Sequence, residues 1–139
     1  MTAQRRSAAE FIVLVALLNA MVAMSIDTML PAIGTIASEL GAIDPNSRQF
    51  IITIFFGGMT LGTLVHGPLS DSTGRKPAIY AGLAFYALGS LLCLFSNSFA
   101  MMLVGRFIQG FGAASPRIVS IAMVRDGSAG AAMAKVMSF

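Results

Sequence analysis

Two charged residues, Asp27 and Arg106, stand inside long apolar runs, where an unpaired charge is hard to keep. On the insertion scale each costs at least about 2.5–3.5 kcal/mol at the centre of a bilayer, so such residues normally face water or a partner. At about 1.5 Å of rise per helical residue, the two fall at comparable depths in the outer half of a membrane. A carboxyl group beside a guanidinium can do proton chemistry. Arg106 keeps its charge in any protein setting. The Asp27 carboxyl is pulled toward neutrality by desolvation and toward ionisation by a nearby cation. The expectation is that Asp27 and Arg106 face one polar cavity in which Asp27 takes up and releases protons; the bland alternative is an Asp–Arg pair that never titrates. Gln109 lies three residues after Arg106 on the same helical face and can orient it or bind a ligand. Asn19, two turns before Asp27, can line the same cavity or simply bond between helices.

The elements that must position these groups are transmembrane helices. Of the 139 residues 56% are hydrophobic and only 11% charged, with a mean hydropathy of +0.81; a soluble domain carries about 25% charged residues, and one this small cannot bury so much apolar surface. Four stretches approach the ~20 residues a span needs: about 11–31, 49–65, 78–95 and 99–118, with a fifth begun near Ala129. Asp44-Pro45-Asn46-Ser47, Asp71 to Pro77, Ser96-Asn97-Ser98 and Arg125 to Ser128 are read as the connections. The shortest of these makes spans three and four an antiparallel hairpin. Beyond Pro31, Ile33, Ile36, Ala37 and Leu40 keep helical spacing, so span one is expected to kink at Pro31 and continue to Gly41. The first apolar run is too long for a signal peptide and no cleavage site follows it, so it is read as retained.

Counting Lys and Arg places Arg5, Arg6, Arg75, Lys76 and Arg125 on one side and only Arg48 on the other, which makes the N-terminus cytoplasmic. The basic residues form no stripe that would hold nucleic acid. His66 is solitary, and with one cysteine, Cys93, there is neither a metal set nor a disulfide framework. No cofactor and no catalytic constellation is read, so the chain is not expected to be an enzyme. Without Trp, interfacial anchoring falls to Tyr80, Tyr86 and Phe residues. Gly58 and Gly62 in span two, and Gly105, Gly110 and Gly112 in span four, permit close helix packing; generic packing is favoured over a dimer face. Ten Met residues suit either a core or an adaptable ligand surface.

The run Gly67-Pro68-Leu69-Ser70-Asp71-Ser72-Thr73-Gly74-Arg75-Lys76-Pro77 resembles the G-x-L-[AS]-D-R-x-G-R-[KR] signature of the major facilitator superfamily. Ser72 and Thr73 stand where the family usually has a basic and an apolar residue. Arg106-Phe107-Ile108-Gln109-Gly110-Phe111-Gly112-Ala113-Ala114 resembles the R-x-x-Q-G-x-G-A-A motif of drug–proton antiporters, and Asp27 to Ala32 the D-x-x-L-P-A end of their first span. Ala122 to Asp126 is similar to the stretch after span four in the Bcr/CflA (bicyclomycin and chloramphenicol resistance) subfamily. The resemblance implies an all-α membrane protein, the N-terminal part of a twelve-helix fold made of two six-helix halves. It further implies export of small, partly apolar drug-like compounds against protons across a bacterial inner membrane, with Arg106 in proton coupling. Gly67, Asp71, Gly74, Arg75 and Lys76 would form a cytoplasmic gate, with Gly67 giving close helix approach, Gly74 a left-handed turn, and Asp71 either pairing with Arg75 or capping a helix. The chain alone, stopping inside a fifth apolar run, is expected to be inactive without the remaining helices. The rival readings are a small dimeric four-helix multidrug exporter, which would need a Glu inside the first span, and a non-transporting assembly or regulatory subunit.

Overall fold

A computed structural model of the chain describes residues 2–41 and 46–127; within them, side chains are described for 10, 13–41, 46, 47 and 49–122. The fifth span expected from Ala129 and the tail from Ser128 lie outside these residues, as do residues 42–45 and the Arg5, Arg6, Arg48 and Arg125 side chains. The described residues form helix α1 (Thr2–Asp27), a short helix α2 (Ile33–Glu39), and long helices α3 (Ser47–Thr73), α4 (Arg75–Leu94) and α5 (Phe99–Gly127).

Helix α1 stops at Asp27 because Pro31 has no N–H for the Asp27 carbonyl, and its ring would strike that carbonyl if the helix ran on. Thr28 and Met29 form a turn, Leu30–Ala32 make one 3-10 turn, and α2 resumes the path. The expected kink is there, spread over five residues and centred ahead of Pro31.

The second boundary differs more from expectation. Helix α3 does not end near residue 65; it carries the signature on to Thr73. Pro68 removes only one backbone bond, and the Ser72 and Thr73 hydroxyls donate back to the Leu69 carbonyl (3.0 and 2.7 Å). What read as a loop is thus a helix end, a single residue and a helix start. Gly74 alone breaks the path, at φ 97° and ψ 164°, a region open essentially only to glycine. Arg75 starts α4 and Pro77 falls in its first turn, where its missing N–H costs nothing. Gly74→Ala is expected to lower stability by about 1–3 kcal/mol, measurable as an earlier thermal unfolding midpoint in detergent. Ser98 caps α5, its hydroxyl accepting from the Met101 N–H at 3.3 Å. Helix α5 then continues past the expected end at residue 118, through Pro116, to Gly127.

Among the described residues, Val13–Glu39, Gln49–Thr73 and Arg75–Leu94 are long and apolar enough to cross a membrane. Helix α5 is the longest at 29 residues but is not one of these. It is the helix the others cover: Gly110, Gly112, Ala113, Ala114, Ser115, Pro116, Val119 and Ser120 are all buried. Its extensive partners are α3 and α4.

Glycines set those two seams. A Cβ on Gly58 or Gly110 would run into backbone of the facing helix, at the Phe107 and Phe55 carbonyls respectively. On the other side a Cβ on Gly89 would meet the Gln109 backbone, and one on Gly112 the Tyr86 backbone. With no hydrophobic drive between helices in lipid, this close packing is what assembles them. Gly58 and Gly62 are therefore spent within the chain, as packing and not as a dimer face. The pairs 82–115 and 89–109 run in opposite directions along α4 and α5, confirming the hairpin. His66 belongs to the same packing: it is buried, its Nδ1 lies 2.9 Å from the Gly62 carbonyl, and its ring lies 4.9 Å from that of Phe111. The outer faces stay apolar, with Leu64, Tyr80, Leu88 and Leu94 exposed to what is lipid for such a protein.

Candidate functional site

The turn after α1 creates the first contact of the site. The Met29 N–H bonds the Ile26 carbonyl, a tightened i−3 pattern. The Ser25 carbonyl thereby loses the donor a continuous helix would bring it. Arg106 of α5 supplies the replacement, its Nη1 donating to that carbonyl at 3.3 Å. Arg106 thus meets α1 two residues before Asp27.

Two hydrogen-bond relays converge beside it. Ser25 donates to the Met21 carbonyl at 2.7 Å. A serine has one hydroxyl proton, so in the 2.5 Å contact between Ser25 and Tyr86 it is the tyrosine that donates. Tyr86, expected as an interfacial anchor, is instead turned inward and ties α4 to α1. In the second relay Ser90 donates to the Tyr86 carbonyl at 2.9 Å, so its oxygen must accept from Gln109 Nε2, also at 2.9 Å. That fixes the Gln109 amide with its oxygen free. Close approach at Gly89 is what lets Gln109 reach Ser90.

These groups line a hollow of about 350 Å³ between α1, α4 and α5, whose walls include Ser25, Thr28, Ser90, Cys93, Arg106 and Gln109, with Met24, Met29 and Met102. Gln109 is only 7% exposed. After the relays are satisfied, Arg106 Nε and Gln109 Oε1 remain buried with no hydrogen-bond partner among the described residues. Cys93 is half-buried in this wall; a Cβ on Gly105 would touch its sulfur.

Of the residues expected to share a cavity, the structure brings Arg106 and Gln109 together and leaves Asp27 and Asn19 off this hollow. Both are exposed, and the Asn19 amide donates to the Val15 carbonyl of its own helix at 2.9 Å. The reason is angular. At 3.6 residues per turn, Asp27 lies about 200° around the axis from Ser25, so matched depth does not give a matched face. Ser25, Ser90, Cys93 and Tyr86 were not expected here. Part of the signal was present: Tyr86, Ser90 and Cys93 follow one another at i, i+4 and i+7, a polar stripe in an otherwise apolar helix.

The signature residues form a separate cluster at the Gly74 end. Arg75 Nη1 lies 2.8 Å from Asp71 Oδ1 and donates to Ser70 Oγ at 2.7 Å. Of the two roles open to Asp71, pairing with Arg75 is the one observed. Lys76 is exposed. Gly67 departs from expectation: a Cβ there would meet nothing within 4 Å. Among the described residues it makes no close approach, and it borders a hollow of about 270 Å³ with Asp71, Arg75 and Ile121.

Comparison with known proteins gives the family. The Major Facilitator Superfamily model matches residues 14–139. The chain is 36% identical over 135 residues to a bicyclomycin resistance protein homolog of Haemophilus influenzae, covering 97% of this chain and 34% of that protein. It is 36% identical over 113 residues to the multidrug resistance protein MdtL of Klebsiella pneumoniae, covering 81% and 29%. It is 35% identical over 115 residues to an uncharacterized MFS-type transporter, YdgK, of Bacillus subtilis, covering 83% and 28%. The chain therefore spans about a third of the length of the curated relatives it matches. No solved structure matches it significantly. With a family match across nearly the whole chain, the signature cluster around Gly74 and an all-helical membrane architecture, the chain belongs to the major facilitator superfamily.

Proposed function

We propose that this chain forms the first helices of a proton-driven exporter of small, partly apolar compounds in a bacterial inner membrane, with its N-terminus in the cytoplasm. The observation that carries the reading is the hollow lined by Arg106 and Gln109, set in a bundle whose helices meet mainly at glycines. A guanidinium is too costly at that depth to serve as packing alone. The resistance named for two of the relatives supports drug-like substrates, and the soft walls of Met24, Met29 and Met102 suit apolar groups of varied shape.

Asp27 takes the proton role from the other side of the same helical turn. It is exposed on a face of α1 that also carries Asn19, and a carboxylate there needs water or a partner. In the intact transporter that face borders the aqueous pathway, and the remaining helices meet it. Arg106 is linked to Asp27 through the Ser25 carbonyl and the turn that follows, so a change of charge at Asp27 acts on the turn that Arg106 holds. The Asp71–Arg75 pair, Lys76, Gly67 and the Gly74 break form the cytoplasmic gate, which closes against the other half of the protein. The 139 residues by themselves do not transport, because alternating access needs two halves rocking about a midplane site.

The test is Asp27→Asn in the full-length protein, assayed in inverted membrane vesicles. Proton-driven accumulation of substrate is expected to stop, while substrate exchange without a gradient persists. Accumulation at the normal rate with the normal response to pH would remove Asp27 from the mechanism.

A further inference from the structure

We infer that Tyr86 is a positioning residue for Arg106: its hydroxyl holds Ser25, and with it the broken end of α1, within reach of the guanidinium. The inference rests on reading Arg106 as part of the proton-coupling machinery, and it adds the residue on α4 that keeps the contact with α1 made. The starting point is how α1 is held. Val13, Leu14, Leu17 and Met24 of this helix are exposed, and it packs inward through Val22 and Ile26 against Phe55 and Ala113. Near its end one residue takes polar bonds from two helices. Ser25 accepts from Tyr86 of α4 at its hydroxyl, 2.5 Å away, and from Arg106 of α5 at its carbonyl, 3.3 Å away. The second distance lies just outside the usual range of about 2.7–3.2 Å for an N–H···O bond. Even a small outward drift of α1 therefore ends it.

Arg106 cannot follow such a drift. Its guanidinium also makes a side-chain hydrogen bond with Cys93 of α4, and its backbone belongs to the helix that the glycine contacts lock in place. Tyr86 is as firmly based. Its backbone is where a Cβ on Gly112 of α5 would strike, and its ring packs on the cluster of Val22, Phe55 and Ala113. The hydroxyl is thus a fixed donor, projected from the α4–α5 pair onto the end of α1. The Ser25 proton is committed to the Met21 carbonyl, so the tyrosine bond uses a lone pair that the helix does not need. Tyr86→Phe keeps the ring packing and leaves no buried donor unmet, because Ser25 retains its bond to Met21. What it removes is the hold on α1. Asp27 lies two residues beyond Ser25, so the link from Arg106 to the end of α1 that bears this carboxyl opens with it.

The experiment uses the full-length transporter in inverted membrane vesicles, with radiolabelled chloramphenicol as the probe compound. It reads proton-driven accumulation beside exchange without a gradient. Tyr86→Phe is expected to lower accumulation roughly 2- to 12-fold, the effect of one hydrogen bond, with exchange unchanged. Ser25→Ala removes the same bond from the other side and is expected to match it. The double variant is expected to be no worse than either single one, because both remove one shared contact. Normal accumulation by Tyr86→Phe, or losses that multiply in the double variant, overturns the inference. So does an equal fall in accumulation and exchange, the mark of a hydroxyl that serves stability alone. A second measurement needs no transport. Spin labels are placed at Leu17 of α1 and Leu88 of α4, both exposed, in the full-length protein with its native cysteines replaced by serine. Double electron–electron resonance is expected to give a wider distance distribution with Tyr86→Phe than without it, and an equal width overturns the inference. An unaltered protein that does not accumulate the probe against a proton gradient loses the export reading, and the label distances then decide this one alone.

Discussion

Arg106→Ala is expected to cut export by roughly 10- to 150-fold while leaving the helices assembled. The guanidinium holds the Ser25 carbonyl, which the tightened turn before Pro31 has deprived of its helical donor. Hydrogen bonds to charged groups contribute about 1.5–3 kcal/mol, which sets the range. Alanine leaves that carbonyl unpaired and frees the turn that links the hollow to Asp27. Assembly survives because α5 is held to α3 and α4 by glycine contacts that Arg106 does not make. Arg106→Lys separates charge from shape: it keeps the cation and loses the planar fork and its Nε donor. Export by the Lys variant is expected to fall between the other two. The measurement is export rate per amount of transporter in the membrane, with a thermal midpoint in detergent beside it. Export by the Ala variant at the normal rate would show that the guanidinium serves packing alone.

Gly110→Leu acts on the opposite property, removing the fold and not the site. A Cβ on Gly110 already collides with the Phe55 carbonyl, and the Met59 amide lies 3.2 Å away. Both are helix backbone and cannot rotate aside as a side chain would. Overpacking a core costs about 1–3 kcal/mol where side chains can adjust, and more where they cannot. The variant is therefore expected to lose the α3–α5 seam, giving a transporter that aggregates or is degraded. Gly57, one residue before Gly58 on α3, makes the comparison sharp. A Cβ there meets nothing within 4 Å, so Gly57→Ala is expected to raise stability by about 0.5–1 kcal/mol through helix propensity and a less flexible unfolded chain. Monodispersity on size exclusion and the thermal midpoint distinguish the two. A Gly110→Leu protein as monodisperse and as heat-stable as the parent would mean that this seam does not hold the bundle.

What could be read without coordinates was what depends on neighbours along the chain. Apolar runs, the break at Pro31, the hairpin after Ser96 and the need for glycine at Gly74 all follow from local chemistry, and they came out nearly as expected. The boundaries of α3 and α5 did not. A proline and two hydroxyl residues look like loop composition, yet Ser72 and Thr73 bond back to Leu69 and keep α3 helical through most of the signature.

The sequence by itself determined which residues cost too much to be idle, and at what depth: Asp27, Arg106 and Gln109 were visible as polar groups in apolar helices. The tertiary structure decided which of them meet. Depth is one coordinate along a helix axis and can be counted in residues. The angle about the axis toward a neighbour depends on which glycines, 20 or more positions away, let two helices approach. Close packing at Gly89 and Gly112 brought Gln109 to Ser90 and Tyr86 to Ser25, while Asp27 was left exposed on another side of α1. The same geometry left Gly67 facing open space and brought Ser25, Ser90 and Cys93 into the hollow, because helix–helix contact is a property of pairs of surfaces and not of any one stretch of chain.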